Sequence, residues 1–155
     1  GGAQIDKYGN INSTGVGDWT KSDSFTYFAG SGGANDMATS GKRVLAIMPQ
    51  DPKKFVEKVD YLTTPGYLDG PGSREKLGMI GGGPSCVVST MGVYRFDENK
   101  EMMLVEYFPG QSVEKVKANC SFDLKVAPDV KETVPPTEDE LVILRNIDPT
   151  GFYLG

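Results

Sequence analysis

The sequence predicts an α/β fold in which strands predominate, arranged as an open sheet with helices. Three observations predict it. Apolar runs of strand length, bounded by turn residues, recur along the chain. The 20 glycines and 10 prolines among 155 residues call for many tight turns and argue against a helical bundle. The helix-competent stretches are short and few, whereas a mostly parallel sheet needs cover on both faces, so the fold reads as an incomplete portion.

The elements follow in order. Residues 3–6 and 11–14 are strand-like runs around Tyr8-Gly9-Asn10, a hairpin signal. Residues 24–29 alternate and are aromatic, so they form a strand. It leads into the glycine-rich run Gly30 to Asp36, after which residues 37–40 make a short helical turn. Residues 42–48 are a buried-strand pattern closed by Pro49. Asp51-Pro52 has the form of an N-cap with proline at the first helical position, and predicts a helix over 53–59. A strand over 61–64 ends at Pro65-Gly66, and residues 66–84 are a long glycine-rich loop. Residues 86–90, 93–97 and 101–108 read as a three-stranded meander, turned at Met91-Gly92 and at Glu98-Asn99-Lys100. Residues 112–118 predict a short helix with Ser112 ahead of it, where Lys115 replaces the Glu of a full capping box. Residues 122–126 are a further strand, 131–136 a linker and 138–145 a terminal helix.

The bulk numbers fit one ordinary domain or one large piece of a domain, residues 1–155 throughout. An apolar fraction of 38% with 7 Phe, 7 Tyr and 1 Trp is enough to build a core. A net charge of −5 argues against non-specific nucleic-acid binding and against a basic membrane-surface role. No apolar run approaches the roughly 18 residues that a membrane span needs. With no histidine and only Cys86 and Cys120, at no C-x-x-C spacing, no metal site is expected. The two cysteines read as reduced, in a cytoplasmic chain. The chain opens at Gly1-Gly2-Ala3-Gln4-Ile5 directly into a strand, which predicts a processed, cleaved or truncated polypeptide.

The densest signal for chemistry is Gly30 to Asp36. Two glycines separated by one residue, then a third, let the backbone pass close to a ligand and present successive N–H groups to it. The end of a strand is where open α/β sheets bind ligands. A dinucleotide motif fails, because position six is Asn35 and no long helix follows. On spacing alone the run serves equally as a tight turn or as an anion or oxyanion site. Asp69, Arg74 and Glu75 mark a second polar patch, read as a surface loop in preference to an arginine offered to an anion. Gly81 to Gly83 reads as a hinge or linker. Lys53, Lys54 and Lys58 form a solvated basic face. Cys86 is a buried strand residue, since no histidine exists to activate it, and the same absence removes a Ser-His-Asp triad.

Several blocks, in order along the chain, carry a resemblance. Gly1-Gly2-Ala3-Gln4-Ile5-Asp6 with Tyr8-Gly9-Asn10 and Asn12-Ser13-Thr14 resembles the strand and hairpin of the B-type subunit in the glutaconate CoA-transferase family. Gly30-Ser31-Gly32-Gly33-Ala34-Asn35-Asp36 resembles the glycine-rich motif of family I CoA-transferases. Asp60-Tyr61, Thr64-Pro65-Gly66, Asp69-Gly70-Pro71-Gly72 and Arg74-Glu75 are similar to a further block, with weaker echoes at Phe96-Asp97 and Ile147-Asp148-Pro149.

The resemblance implies a NagB/RpiA/CoA-transferase-like fold and the C-terminal portion of a B-type subunit, working with the N-terminal portion of that same subunit, plus a homologous A-type subunit. It implies transfer of coenzyme A between an acyl-CoA and a carboxylate, with coenzyme A as substrate and no resident cofactor. A glutamate would attack the thioester and become an enzyme–CoA thioester, with glycine-rich backbone stabilising the oxyanion. Gly30, Ser31, Gly32, Gly33, Ala34 and Asn35, with Gln4 from the first strand, are the implied substrate and CoA contacts. The family's glutamate lies in a Glu-Ser-Gly or Glu-Asn-Gly context that this chain lacks. Glu98-Asn99-Lys100 comes nearest but has no glycine, so no catalytic residue is assigned within 1–155. Relatives on the same scaffold decarboxylate CoA esters or hydrolyse rings, and a non-catalytic partner subunit is the remaining alternative.

Overall fold

The computed structural model describes residues 1–153. Its centre is a five-stranded mixed sheet in the order β5-β6-β7-β8-β9, comprising β5 (Val44–Met48), β6 (Pro84–Ser89), β7 (Gly92–Phe96), β8 (Met102–Tyr107) and β9 (Lys125–Glu132). The meander β6-β7-β8 is antiparallel, as its short turns require, while β5 and β9 add in parallel at the two edges. Two small antiparallel pairs stand outside the sheet. β1 (Gln4–Ile5) pairs with β2 (Ile11–Asn12), and β3 (Gly15–Gly17) with β4 (Phe25–Tyr27), which follows a short 3-10 turn. The helices are α1 (Ala34–Ser40), α2 (Ser73–Lys76), α3 (Val113–Ala118) and α4 (Glu138–Ile147).

Period-2 alternation decides which face of the sheet is covered. Ala46, Met48, Val87, Tyr94, Met102 and Leu104 point inward, onto Ile5, Ile11 and Phe55 from the hairpin side and Val116, Phe122 and Leu124 from around α3. Each large side chain so buried stabilises the fold by roughly 1.5–3 kcal/mol. Gln50 ties this core together through polar groups. Its Oε1 accepts from Ser89 Oγ and Tyr94 OH, and its Nε2 donates to Val116 O and Cys120 Sγ. On the opposite face of β5, Leu45 and Ile47 are 60% and 72% exposed.

Four expectations change. Residues 53–59 are not a helix. Lys54 and Phe55 N–H both reach Asp51 O in a single turn, but Ile5 then captures the backbone, donating to Lys54 O and accepting from Val56 N. Phe55 becomes a buried bridge beside Ile5, so tertiary pairing overrides the start signal. The strand expected over 61–64 reduces to one antiparallel bridge between Thr64 and Ile11. The strand expected over 122–126 begins only at Lys125 and runs on to Glu132 as β9, so the linker expected at 131–136 is partly strand. β9 runs past Pro128, where a register shift opposite Leu104 and Glu106 leaves the proline's missing donor unneeded on an edge strand. Three elements were not expected: β3, the 3-10 turn over Ser22–Ser24 and the single turn α2 inside the 66–84 loop. The terminal helix extends to Ile147 and begins with a full capping box between Thr137 and Glu140. Both cysteines are free thiols, Cys86 buried, and burial pushes the Cys120 thiol up to about 12.

Candidate functional site: a glycine-rich loop on a polar ladder

The run Gly30 to Gly33 joins the end of β4 to α1. Gly30 and Gly32 have φ of 86° and 50°, a conformation that favours glycine. A Cβ at either would meet nothing within 4 Å, so conformation and not crowding by this chain requires glycine there. The loop starts as an extension of strand pairing, with Phe28 N–H donating to Thr14 O and Gly30 N–H to Ser13 O, while Ser13 Oγ donates back to Gly30 O. Ala34 N–H closes a turn on Ser31 O. The N–H groups of Gly32 and Gly33 have no acceptor among the described residues. Gly32 and Gly33 are exposed and Ser31 is half-buried.

Beneath the loop runs a ladder of buried side chains. Gln4 Oε1 accepts from Asp60 N–H and from Asn12 Nδ2, which also donates to Gly15 O. Asn12 Oδ1 accepts from the N–H groups of Thr14 and Gly15. Thr63 Oγ1 accepts from Ser13 N–H and shares a 2.8 Å hydrogen bond with Thr14 Oγ1, and Thr63 O accepts from Asn35 Nδ2. The structure therefore connects Gln4, expected as a site residue, to the loop through Asn12 and Thr63. Gln4 itself is 4% exposed, with its carbonyl oxygen fully engaged. Of the six expected loop residues, Asn35 turns its amide inward to Thr63 rather than outward.

A second buried cluster fixes the loop over 66–70. Asp6 accepts from Tyr8 N–H, Asn10 N–H and Asn10 Nδ2, and burial raises its carboxyl to about 6 against these hydrogen bonds. Asn10 Oδ1 accepts from the N–H groups of Gly66 and Leu68. A Cβ on Gly66 would sit 2.3 Å from Gly9 C and 2.4 Å from Tyr8 O, so this contact admits glycine alone. A hollow of about 620 Å³ opens beside it, lined by Asp6, Tyr8, Trp19, Lys58, Tyr61 and Leu62. Another, of about 340 Å³, lies between α1 and β5, lined by Ala34, Met37, Arg43 and Leu45.

Arg74 is 4% exposed and offers nothing to an anion. Its Nε donates to Gly81 O, Nη1 to Pro65 O and Gly66 O, and Nη2 to Ala38 O and Gly81 O. Burial lowers its pKa from the ordinary guanidinium value. The surface-loop reading of this patch underestimated the residue, whose guanidinium is buried against Pro65, Gly66 and Gly81 nearby in sequence and Ala38 far from it. Gly81 to Gly83, expected as a hinge, instead caps α1, with Gly81 N–H on Thr39 O and Gly82 N–H on Gly41 O. Glu98 lies exposed in the β7–β8 turn, and Glu106 faces Val93 and Lys131 across β8, neither of them at the glycine-rich loop.

Comparison with known proteins bears on the chain as a whole. A family model described as Coenzyme A transferase matches residues 1–119. The B-type subunit of the glutaconate CoA-transferase of Acidaminococcus fermentans is 45% identical over 99% of this chain and 58% of its own length. The B-type subunit of the 3-oxoadipate CoA-transferase of Pseudomonas knackmussii is 36% identical over 96% of this chain and 56% of its own. The chain thus spans somewhat over half the length of the curated relatives it matches. The crystal structure of the Acidaminococcus fermentans glutaconate coenzyme A-transferase superposes with a TM-score of 0.90 at 42% identity, over 99% of this chain and 59% of that one. A decarboxylase, AibA/AibB, superposes at 0.78 with 22% identity over 97% of this chain and 56% of that one, which is a likeness of fold.

Proposed function

The chain belongs to the coenzyme A transferase family, and from that premise we propose that it is the C-terminal portion of a B-type subunit in an enzyme moving coenzyme A between an acyl-CoA and a carboxylate. The observation that carries the reading is the 45% identity to a B-type glutaconate CoA-transferase subunit, maintained over 99% of the chain. In the proposed reaction a glutamate outside residues 1–155 attacks the thioester carbonyl. Negative charge gathers on the carbonyl oxygen, the CoA sulfur departs as thiolate, and the enzyme's carboxyl carbon finally holds the sulfur as a thioester while the first carboxylate leaves. A second carboxylate reverses the sequence.

The proposed role of this chain is the electrostatic wall. Gly32 and Gly33 would direct their N–H groups at the oxyanion, with Gly30, Ser31, Ala34 and Asn35 shaping the loop and Gln4 supporting it through Asn12. The free N–H groups and the open space above Gly30 and Gly32 support this reading. The proposed neighbours are a homologous A-type subunit, together with the N-terminal portion of the same polypeptide, packed against the bare face of Leu45 and Ile47. A cytoplasmic location is proposed with them, in keeping with two free thiols. Among the described residues no helix is long and apolar enough to cross a membrane.

The test uses the full-length polypeptide assembled with its A-type partner. Incubation with acyl-CoA, then hydroxylamine or borohydride, and peptide mapping are expected to place the modification on a glutamate outside residues 1–155. Modification at Glu98 or Glu106 would overturn that placement. Absence of both labelling and CoA exchange would remove the transferase reading in favour of a decarboxylase, a ring-opening hydrolase or a non-catalytic partner.

A further inference from the structure

We propose that Arg74 is a positioning residue for the glycine-rich loop, acting by clamping the far end of the helix that the loop begins. The proposal rests on the reading of that loop given above. All five guanidinium N–H groups are used, on four backbone carbonyls drawn from three separate stretches: Ala38 in α1, Pro65 and Gly66, and Gly81. No carboxylate forms an ion pair with Arg74 among the described residues. A buried cation ordinarily requires a counter-charge, so this cage of carbonyl dipoles must replace one. Ala38 O is among the last four carbonyls of α1, which have no helical partner, and a positive charge is favourable at that end.

The helix gives the clamp its leverage. At 7 residues α1 is roughly 10 Å long, far below the length at which a helix stands on its own. Its course is therefore set by its anchors. Asn35 on Thr63 holds one end, and Arg74, with Gly81 and Gly82, holds the other. Removing the guanidinium leaves Ala38 O, Pro65 O, Gly66 O and Gly81 O without this donor and loosens the far end of the helix, which Gly81 and Gly82 N–H then hold alone. A displacement of about 1 Å at a reacting group costs on the order of 10²-fold in rate. Lysine, with a compact ammonium, cannot reach carbonyls on three sides in the guanidinium's planar fork.

The experiment takes Arg74→Lys and Arg74→Ala in the full-length, assembled enzyme. Amide hydrogen exchange over residues 30–41 is read alongside steady-state CoA transfer, with and without added guanidinium. The expected result is faster exchange across that segment, kcat lower by on the order of 10²-fold with KM for acyl-CoA little changed, and partial recovery of Arg74→Ala by guanidinium. Unchanged exchange over 30–41 would overturn the clamp. Failure of both variants to assemble would make Arg74 a folding residue and overturn the proposal as well. Faster exchange with unchanged turnover would keep the clamp and remove the loop from the reaction, so the two readings fail separately.

Discussion

At the scale of single residues, the glycines of the loop differ in what they test. Gly32 has φ of 50°, so any side chain there strains the backbone whatever the loop does. Gly33 has φ of −86°, and the nearest atom to an added Cβ is Met37 Cε at 3.9 Å. A side chain at 33 is thus tolerated by this chain and intrudes only on what approaches the loop from outside. Gly33→Val keeps its own N–H but fills the space in front of it, so it is expected to leave assembly of the complex and melting temperature within error and to lower CoA transfer by on the order of 10²–10³-fold, as much as loss of one oxyanion donor costs. Unchanged turnover in that variant would make Gly30 to Gly33 a turn and nothing more. The loop itself was legible in the sequence because glycine spacing is a local property. The residues supporting it were not. Thr63 acts on Ser13, Thr14 and Asn35, dozens of positions away, and Arg74 reaches back to Ala38, while polar residues such as Asn12 and Arg74 in loop sequence give no sign that they are buried.

At the scale of elements, the β1–β2 hairpin shows how charge and burial set a pH response. Asp6 is 4% exposed, and its carboxyl is raised from 3.8 to about 6, chiefly by burial. The folded chain therefore holds this proton more tightly than the unfolded chain. Stability is expected to fall as pH rises from about 4 to about 6, by up to about 3 kcal/mol from this group, and then to level off. Asp97, Asp18, Glu114 and Glu140 are shifted downward and act in the opposite sense at lower pH. Comparing urea midpoints of the parent and Asp6→Asn between pH 4 and 8 isolates the hairpin. The difference between the two is expected to vary between pH 4 and 6 and stay flat above; a constant difference throughout would remove Asp6 as its source. Legibility of the elements follows the same division into local and remote causes. The meander β6-β7-β8 was readable because alternation and turn chemistry are local. The helix over 53–59 was misread because Asp51-Pro52 does start a turn, and only the distant Ile5 prevents it from continuing.

At the scale of the whole molecule, the sheet has one finished face, and its other face is bare at the β5 edge while Cys86 beside it is buried and Val88 and Val93 are half-buried. Leu45 and Ile47 project from β5, an edge strand, and Gly1 lies against it, where an added Cβ would come within 2.6 Å of Ile47 O. Apolar side chains on an exposed edge invite association. The isolated chain is expected to self-associate and to bind a hydrophobic dye in sedimentation and fluorescence measurements. Leu45→Lys with Ile47→Lys is expected to reduce both effects while blocking assembly of the full-length polypeptide. A monomeric isolated chain that melts cooperatively and excludes the dye would contradict this account.

The arrangement of the sheet also sets the order in which it can form. β6, β7 and β8 are neighbours in sequence and join through short turns, whereas β5 reaches β6 only across residues 49–83, and β8 reaches β9 across residues 108–124. Closing those longer loops comes at an entropic cost before any contact repays it. The meander is therefore the natural nucleus, and β5, with the helix and loop upstream of it, is recruited late. The glycine-rich loop, attached to β5 through α1, is therefore expected to order late and open early, which would tie the lifetime of a competent site to the kinetics of one edge strand.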